Sequence, residues 1–321
     1  MKATLAALVV TAAVAVAAVL LVKPSVLDGG GDAAAVAASV GDLQAANGPV
    51  PPDLIVRRPL DVNLKATADP VRMDFHDPPR SGLLFDLDSG QVLWRRDPER
   101  VLPIASVTKM MTALVVVQHS RPDQRVPVTK EALAYRGSGI GELPKVGRTV
   151  PLESLLTGML IVSGNDAAIA LSQDIGGTQG HFVSMMNAQA QEMGLRCSRF
   201  ARPDGYQDAG NHSCAVDLAA LARAVLDEPR LAAIVKRKQA IVPFPIKGGK
   251  LWLNSHNPIV VEGYPGATGI KTGFTDAAGE CIVATATRHG RRLGVILLHS
   301  PDLGRQATKL LDAGFRSVAR R

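Results

Sequence analysis

Aromatic side chains are scarce: Phe, Tyr and Trp make up 4% of the 321 residues. A core must therefore be assembled from Ala, Val, Leu and Ile. A hydrophobic content of 46% over this length is ample for one large core or two modest ones. No internal repeat is visible, which excludes a solenoid or array. The seven histidines (His76, His119, His181, His212, His256, His289 and His299) include no H-E-x-x-H and no close pair at metal-ligand spacing, which argues against a metalloenzyme. The net charge is +7, with a pI near 9.5. That balance suits nucleic acid, an anionic membrane surface or an anionic polymer. Lys and Arg nevertheless form no run longer than three residues, and no RNA-binding or zinc-finger motif occurs, so a nucleic-acid partner is not expected.

Charge is missing altogether from Ala3 to Val22, between Lys2 and Lys23. Such a run makes about 30 Å of helix, enough to cross a bilayer. A cleaved signal has a shorter apolar core with a small-residue cleavage site close behind. Here the nearest downstream A-x-A is Ala35-Val36-Ala37. The segment 1–23 is read as an uncleaved anchor ahead of a cleaved signal; either exports the rest. Only three cysteines occur. Export permits a disulfide, and Cys197 and Cys214 bracket a loop between two helical patterns. Cys281, in the alternating apolar "ECIVATAT", reads as a buried thiol.

Residues 24–79 are rich in Gly and Ala, then in Pro ("DGGGDAAAVAAS", "NGPVPPDL", "HDPPRSG"). With little periodicity they read as a largely disordered spacer. The folded part is placed at 80–321. "SGLLFDLDSGQVLWRRDPE" gives two strands around an Asp88-Ser89-Gly90 turn. Helical patterns follow, beginning near Ile104, and one ends at Gly194. After Gln239 the pattern turns to strands, and "GRQATKLLDAGFRSVAR" closes the chain as a helix. Strands at both ends with helices between them predict an α+β fold. One antiparallel sheet would join the N- and C-terminal strands, with helices on both faces and an inserted helical cluster.

"PIASVTKMMTAL" sets Ser106 three residues before Lys109, on one helix face. A serine hydroxyl is a poor nucleophile until a base takes its proton, and a lysine serves only if burial lowers its pKa. Alone, S-x-x-K is more often a solvated helix face. Two further triplets change that reading. Ser163-Gly164-Asn165 interrupts a helical pattern and presents a hydroxyl that could relay a proton beside an amide that could bind a carbonyl. Lys271-Thr272-Gly273, on a strand, offers a cation, a hydroxyl for a carboxylate and a close backbone approach.

The three motifs, in this order on helix, loop and strand, resemble those of the serine penicillin-recognising enzymes. Together with "SMMNAQAQEMGL", "RPDGYQDAGNHSCAVDLAALARAV" and "GIKTGFT", they resemble the low-molecular-weight D-alanyl-D-alanine carboxypeptidases, the DacA-type penicillin-binding proteins, from about Arg80 to Phe315. The resemblance implies a β-lactamase/DD-peptidase transpeptidase-like fold, with neither metal nor cofactor. It implies peptidoglycan stems ending in D-Ala-D-Ala as substrate and β-lactams as covalent inhibitors. By the same resemblance Ser106 would be acylated, Lys109 its base, Ser163 the proton relay and Asn165 a ligand of the substrate amide. Lys271, Thr272 and Gly273 would bind substrate, with the N–H groups of Ser106 and Phe274 as oxyanion hole and Arg305 on the terminal carboxylate. Many relatives have His where Phe274 stands. Well-known members also continue into a second, all-β domain with a C-terminal membrane helix, whereas this sequence ends at Arg321.

Three rivals are weighed against this reading. A D,D-endopeptidase of the same family would carry the same motifs. A class A β-lactamase needs a deacylating Glu in E-x-x-L-N, but "EPRLA" from Glu228 ends on Ala232, too close to Lys271, and reads as a helix start with Pro at its first turn. A non-catalytic wall-binding module would not need the full motif set. From the apolar run, the protein is expected in the membrane fraction with its N terminus intact. N-terminal sequencing checks this, and a soluble form beginning between Val26 and Gly41 would refute it.

Overall fold

The structure is a computed structural model and describes residues 60–206 and 210–319. The segment 1–23 and most of the expected spacer lie outside the described residues. In chain order come β1 (Ser81–Asp86), β2 (Val92–Arg96), β3 (Leu102–Pro103), a 3₁₀ turn (Ala105–Thr108), α1 (Lys109–Gln118), β4 (Arg125–Pro127), α2 (Lys130–Ala134) and β5 (Thr149–Pro151). There follow α3 (Leu152–Ile161), α4 (Asn165–Gly176), α5 (Gln179–Glu192), β6 (His212–Ser213), α6 (Ala215–Asp227) and α7 (Pro229–Val235). The C-terminal part holds β7 (Gln239–Pro243), β8 (Lys250–Asn254), α8 (Pro258–Val261), β9 (Ala267–Thr275), β10 (Gly279–Arg288), β11 (Arg291–Leu298) and α9 (Leu303–Val318).

The main sheet runs β2-β1-β11-β10-β9 and is antiparallel throughout. It joins both ends of the fold, with Ser81 opposite Leu298. Each central strand is buried on both faces, which is why it reads as a continuous apolar run. Leu83 and Phe85 of β1, Cys281 and Val283 of β10 and Ile296 and Leu298 of β11 enter the core shared with the helical cluster. Their neighbours Leu84, Ile282, Ala284, Val295 and Leu297 enter a second core under α9, with Leu310 and Leu311. Cys281 is accordingly buried, in a strand covered on both sides rather than the half-exposed alternation expected. The β1–β2 turn is held by Asp86, whose Oδ1 accepts from Asp88 N at 3.0 Å and from Ser89 N at 2.9 Å.

The expected boundary at residue 80 is too late for 60–79. Val62 and Val71 are buried. Val71 N donates to Leu93 O at 2.9 Å, Arg95 Nη1 donates to Leu64 O at 2.7 Å, and Phe75 packs edge-on against Trp94. The segment straps the outer edge of β2, fixed by single anchors rather than by a repeat, so its composition hides it. Covering an edge strand also removes a row of unpaired backbone groups.

Cys197 and Cys214 form a disulfide that ties the loop after α5 to the N-cap of α6. Asp217 accepts from Cys197 N at 2.6 Å and from Ser198 Oγ at 2.8 Å, bracing the same corner. A bridge 17 residues apart in sequence is worth about 3 kcal/mol through the denatured state. The denatured, unreduced protein should titrate one thiol, and reduction should lower stability to urea by about 3 kcal/mol. Three thiols before reduction would refute the pairing.

Candidate active site

Ser106 does not lie in the first turn of an α-helix. It sits in the 3₁₀ turn Ala105–Thr108, and Lys109 opens α1. In a 3₁₀ turn residues i and i+3 eclipse each other, so Lys109 Nζ reaches within 2.8 Å of Ser106 Oγ. Ala105 holds a left-handed φ of 47°, a local strain of the kind that persists only under surrounding constraint. Two glycines supply that constraint. A Cβ on Gly273 would fall 2.8 Å from Ser106 N and 3.0 Å from Ile104 O and Val107 N. A Cβ on Gly205, whose φ is +71°, would fall 2.1 Å from Ala105 O. Strand β9 and the Pro203–Gly205 loop therefore press directly on the turn that carries Ser106.

The Lys109 side chain is fully buried. Its Nζ is also 2.5 Å from Asn165 Oδ1 and 2.6 Å from the Asp204 carbonyl. Burial lowers its pKa from 10.5 to about 7, with Asp204 and Asp166 opposing the shift. A neutral amine has two hydrogens and one lone pair. The hydrogens fit the Asn165 and Asp204 acceptors, which leaves the lone pair for the Ser106 hydroxyl. That is the arrangement a general base requires.

Ser163 lies between α3 and α4, also at left-handed φ (63°). Asn165 opens α4, and its Nδ2 donates to Tyr135 Oη at 2.6 Å. Asp166 clamps the facing loop by accepting from Ile140 N at 2.9 Å. Lys271, on β9, is buried, lies 3.0 Å from Ser163 Oγ and donates to Thr272 O at 2.7 Å. Its pKa falls well below the usual value, through burial first and the Lys109 charge second. Burial, then Lys271, also lowers the pKa of His256.

Ser106, Ser163, Asn165, Thr272, Gly273, Phe274 and Arg305 line one cleft of about 960 Å³. Lys109 and Lys271 lie beneath it, bonded to Ser106 and Ser163 respectively. Phe274 stands 64% exposed at the rim. Arg305, expected ahead of the last helix, is inside the first turn of α9 and pairs with Asp302 at 3.2 Å. Glu228 is the N-cap of α7, accepting from Arg230 N, as the Pro at the helix start suggested. Sequence reasoning missed the Asp204 carbonyl, Tyr135, Asp166 and His256. Only the first had a usable signal, the Pro-Asp-Gly turn; the others are single residues outside any motif.

Comparisons with known proteins identify the family. The family model for peptidase S11, D-alanyl-D-alanine carboxypeptidase, matches residues 75–301. The chain belongs to this family. D-alanyl-D-alanine carboxypeptidase DacB2 of Mycobacterium tuberculosis is 35% identical over 74% of this chain and 82% of its own length. DacF of Bacillus subtilis is 30% identical over 74% of this chain, which spans 62% of that protein. A D-alanyl-D-alanine endopeptidase of Pseudomonas aeruginosa is 32% identical over 68% of this chain and 70% of its own length. Among solved structures, a Mycobacterium tuberculosis D-alanyl-D-alanine carboxypeptidase superposes with a TM-score of 0.70 at 32% identity, covering 81% of this chain and 96% of that one. The family resemblance extends to the fold, the sheet of this S11 peptidase being interrupted by its helical cluster as expected.

The lowered pKa of Lys109 carries a sign. The neutral base is present above about pH 7 and is lost as pH falls through that value. Acylation of Ser106 by a β-lactam should therefore drop about tenfold per pH unit below 7 and level off above it. Stopped-flow acylation between pH 5 and 9 measures this. A rate unchanged across that range would rule Lys109 out as the base.

Proposed function

We propose that this S11 peptidase is a serine D-alanyl-D-alanine carboxypeptidase that trims the terminal D-alanine from peptidoglycan pentapeptide stems. One observation carries the reading: the Nζ of a buried amine, its pKa lowered by burial to about 7, lies 2.8 Å from the Ser106 Oγ. The Ser106 proton passes to Lys109 Nζ as Oγ attacks the carbonyl carbon of the penultimate D-alanine. The resulting oxyanion is met by the Ser106 and Phe274 N–H groups, where Gly273 lets β9 close on the turn. The C–N bond breaks, and the proton that Lys109 received passes by way of Ser163, held by Lys271, to the leaving amine, which returns Lys109 to its neutral form. Asn165 holds the substrate amide, exchanging Tyr135 for it. Thr272 binds the terminal carboxylate, and Arg305 joins it by releasing Asp302. Water then opens the acyl-serine, and Ser106 recovers its proton.

The family acts on peptidoglycan in the cell envelope. For this chain the reading adds export, and retention at the outer face of the membrane through the 1–23 segment. A second reading is favoured by the Pseudomonas aeruginosa endopeptidase, which shares 32% identity with this chain. The same acylation on a cross-linked stem would release monomers from dimers. A muropeptide digest separates the two, since free D-alanine from monomeric pentapeptides marks a carboxypeptidase and monomers appearing from dimers mark an endopeptidase.

The β-lactam reading gives a direct check. Intact mass after penicillin treatment, followed by peptide mapping, should find one persistent adduct on Ser106. Glu228, the glutamate a β-lactamase would need, caps a helix instead. Ser106→Ala should abolish the adduct and keep the fold, changing stability by about 1 kcal/mol at most. Lys109→Ala should slow acylation at least about 10²-fold. An adduct on another residue would overturn the assignment.

A further inference from the structure

The β7–β8 hairpin stands apart from the main sheet. One row of its side chains, Ala240, Val242 and Leu253, enters the large core. The other row points to solvent. It consists of the cross-strand pairs Gln239–Asn254, Ile241–Trp252 and Pro243–Lys250. Trp252 is 64% exposed and Ile241 60% exposed, although they are directly paired. Their positions in the fold do not require this exposure, because the inward row already fastens the hairpin and Ser154 Oγ donates to Pro243 O at 2.7 Å.

The charge around this apolar pair is one-sided. No Asp or Glu occurs between Glu228 and Glu262. The same stretch holds Lys236, Arg237 and Lys238 at the hairpin base, Lys247 in its turn and Lys250 beside Trp252 on the outward row, all exposed. Arg230 is the exception, taken up by Glu153. A protruding indole and an aliphatic side chain flanked along the hairpin by exposed cations, none of them in an ion pair among the described residues, match the interfacial zone of an anionic bilayer. Indole rings settle at headgroup level, and basic residues gain from the negative surface potential.

We propose that the outward face of the β7–β8 hairpin docks on an anionic lipid surface, with Trp252 and Ile241 entering the interface and Lys238, Lys247 and Lys250 meeting lipid phosphates. This contact is separate from the catalytic reading and would stand or fall without it. It has a consequence for the cleft. β8 leads from Trp252 to His256, which lines the cleft, over at most about 13 Å of chain. Docking would hold the cleft close to the membrane plane.

The protein contains two tryptophans. Trp94 is buried and Trp252 exposed, so emission reports on the hairpin. Full-length protein would be reconstituted into vesicles of phosphatidylcholine alone or mixed with phosphatidylglycerol, each with and without brominated lipid. In the anionic vesicles Trp252 emission should shift to the blue and be quenched by the brominated chains. In phosphatidylcholine it should remain exposed to aqueous iodide. Trp252→Ala should remove the shift and leave the Trp94 signal. Each basic residue near an anionic surface is worth about a fivefold change in partitioning. The triple variant Lys238→Glu, Lys247→Glu, Lys250→Glu should therefore lower the docked-to-free ratio by at least on the order of 10²-fold. Raising salt to about 0.5 M on the unaltered protein should act in the same direction and does not depend on the variant folding. Unshifted emission in anionic vesicles would overturn the proposal. So would equal quenching in both lipids, or a shift produced only by added soluble glycan strands, which would make the face a sugar-binding one.

Discussion

The site depends on keeping one amine out of water. Lys109 is enclosed by the turn that carries Ser106, by Asn165 at the start of α4 and by the Asp204 carbonyl. Desolvation is the largest influence on its protonation, ahead of the opposing charges of Asp204 and Asp166. The surrounding elements come together to supply that enclosure. α1 brings the lysine, α4 the amide, the Pro203–Gly205 loop a carbonyl, and β9 the Gly273 backbone that closes on the Ser106 turn. An open site with the same residues would leave Lys109 protonated, with no lone pair to accept the Ser106 proton.

This arrangement explains why several backbone conformations that cost energy are tolerated in one place. Ala105 and Ser163 both adopt left-handed φ values. Ser163 itself lines the cleft, and Ala105, buried in the core, directly precedes Ser106, which also lines it. Asp166 is buried, and burial raises its pKa; it stays bonded to Ile140 N and Ala167 N. The helical cluster thus contributes both apolar mass and a rigid wall for Ser163 and Asn165.

Much of this was legible in the sequence because it is periodic or motif-bound. The paired strands at the two ends, the helix closed by Gly194 and the Ser106, Ser163 and Lys271 motifs each carry a local signature, and the structure brings all three motifs to one cleft. What was illegible is of another kind. The strap over 60–79 is held by isolated anchors such as Val62, Val71 and Phe75, which leave no period to read. Tyr135 matters only because Asn165 lies against it, thirty positions later in the chain. The Asp204 contribution is a main-chain carbonyl, which any residue type could supply. The 3₁₀ turn at Ser106 lies where the Gly273 and Gly205 backbones approach closely, a tertiary contact that the helical pattern around it does not announce.

The topology of the main sheet also governs when the protein can become reactive. β1 waits for β11, the last strand to be synthesised, and Gly273 and Lys271 arrive late on β9. Until those strands dock, nothing presses on Ala105 and nothing encloses the amine. Pairing between distant parts of a chain is slow to form. A chain emerging N-terminus first would therefore carry an ordinary, unactivated serine until its C-terminal strands had docked.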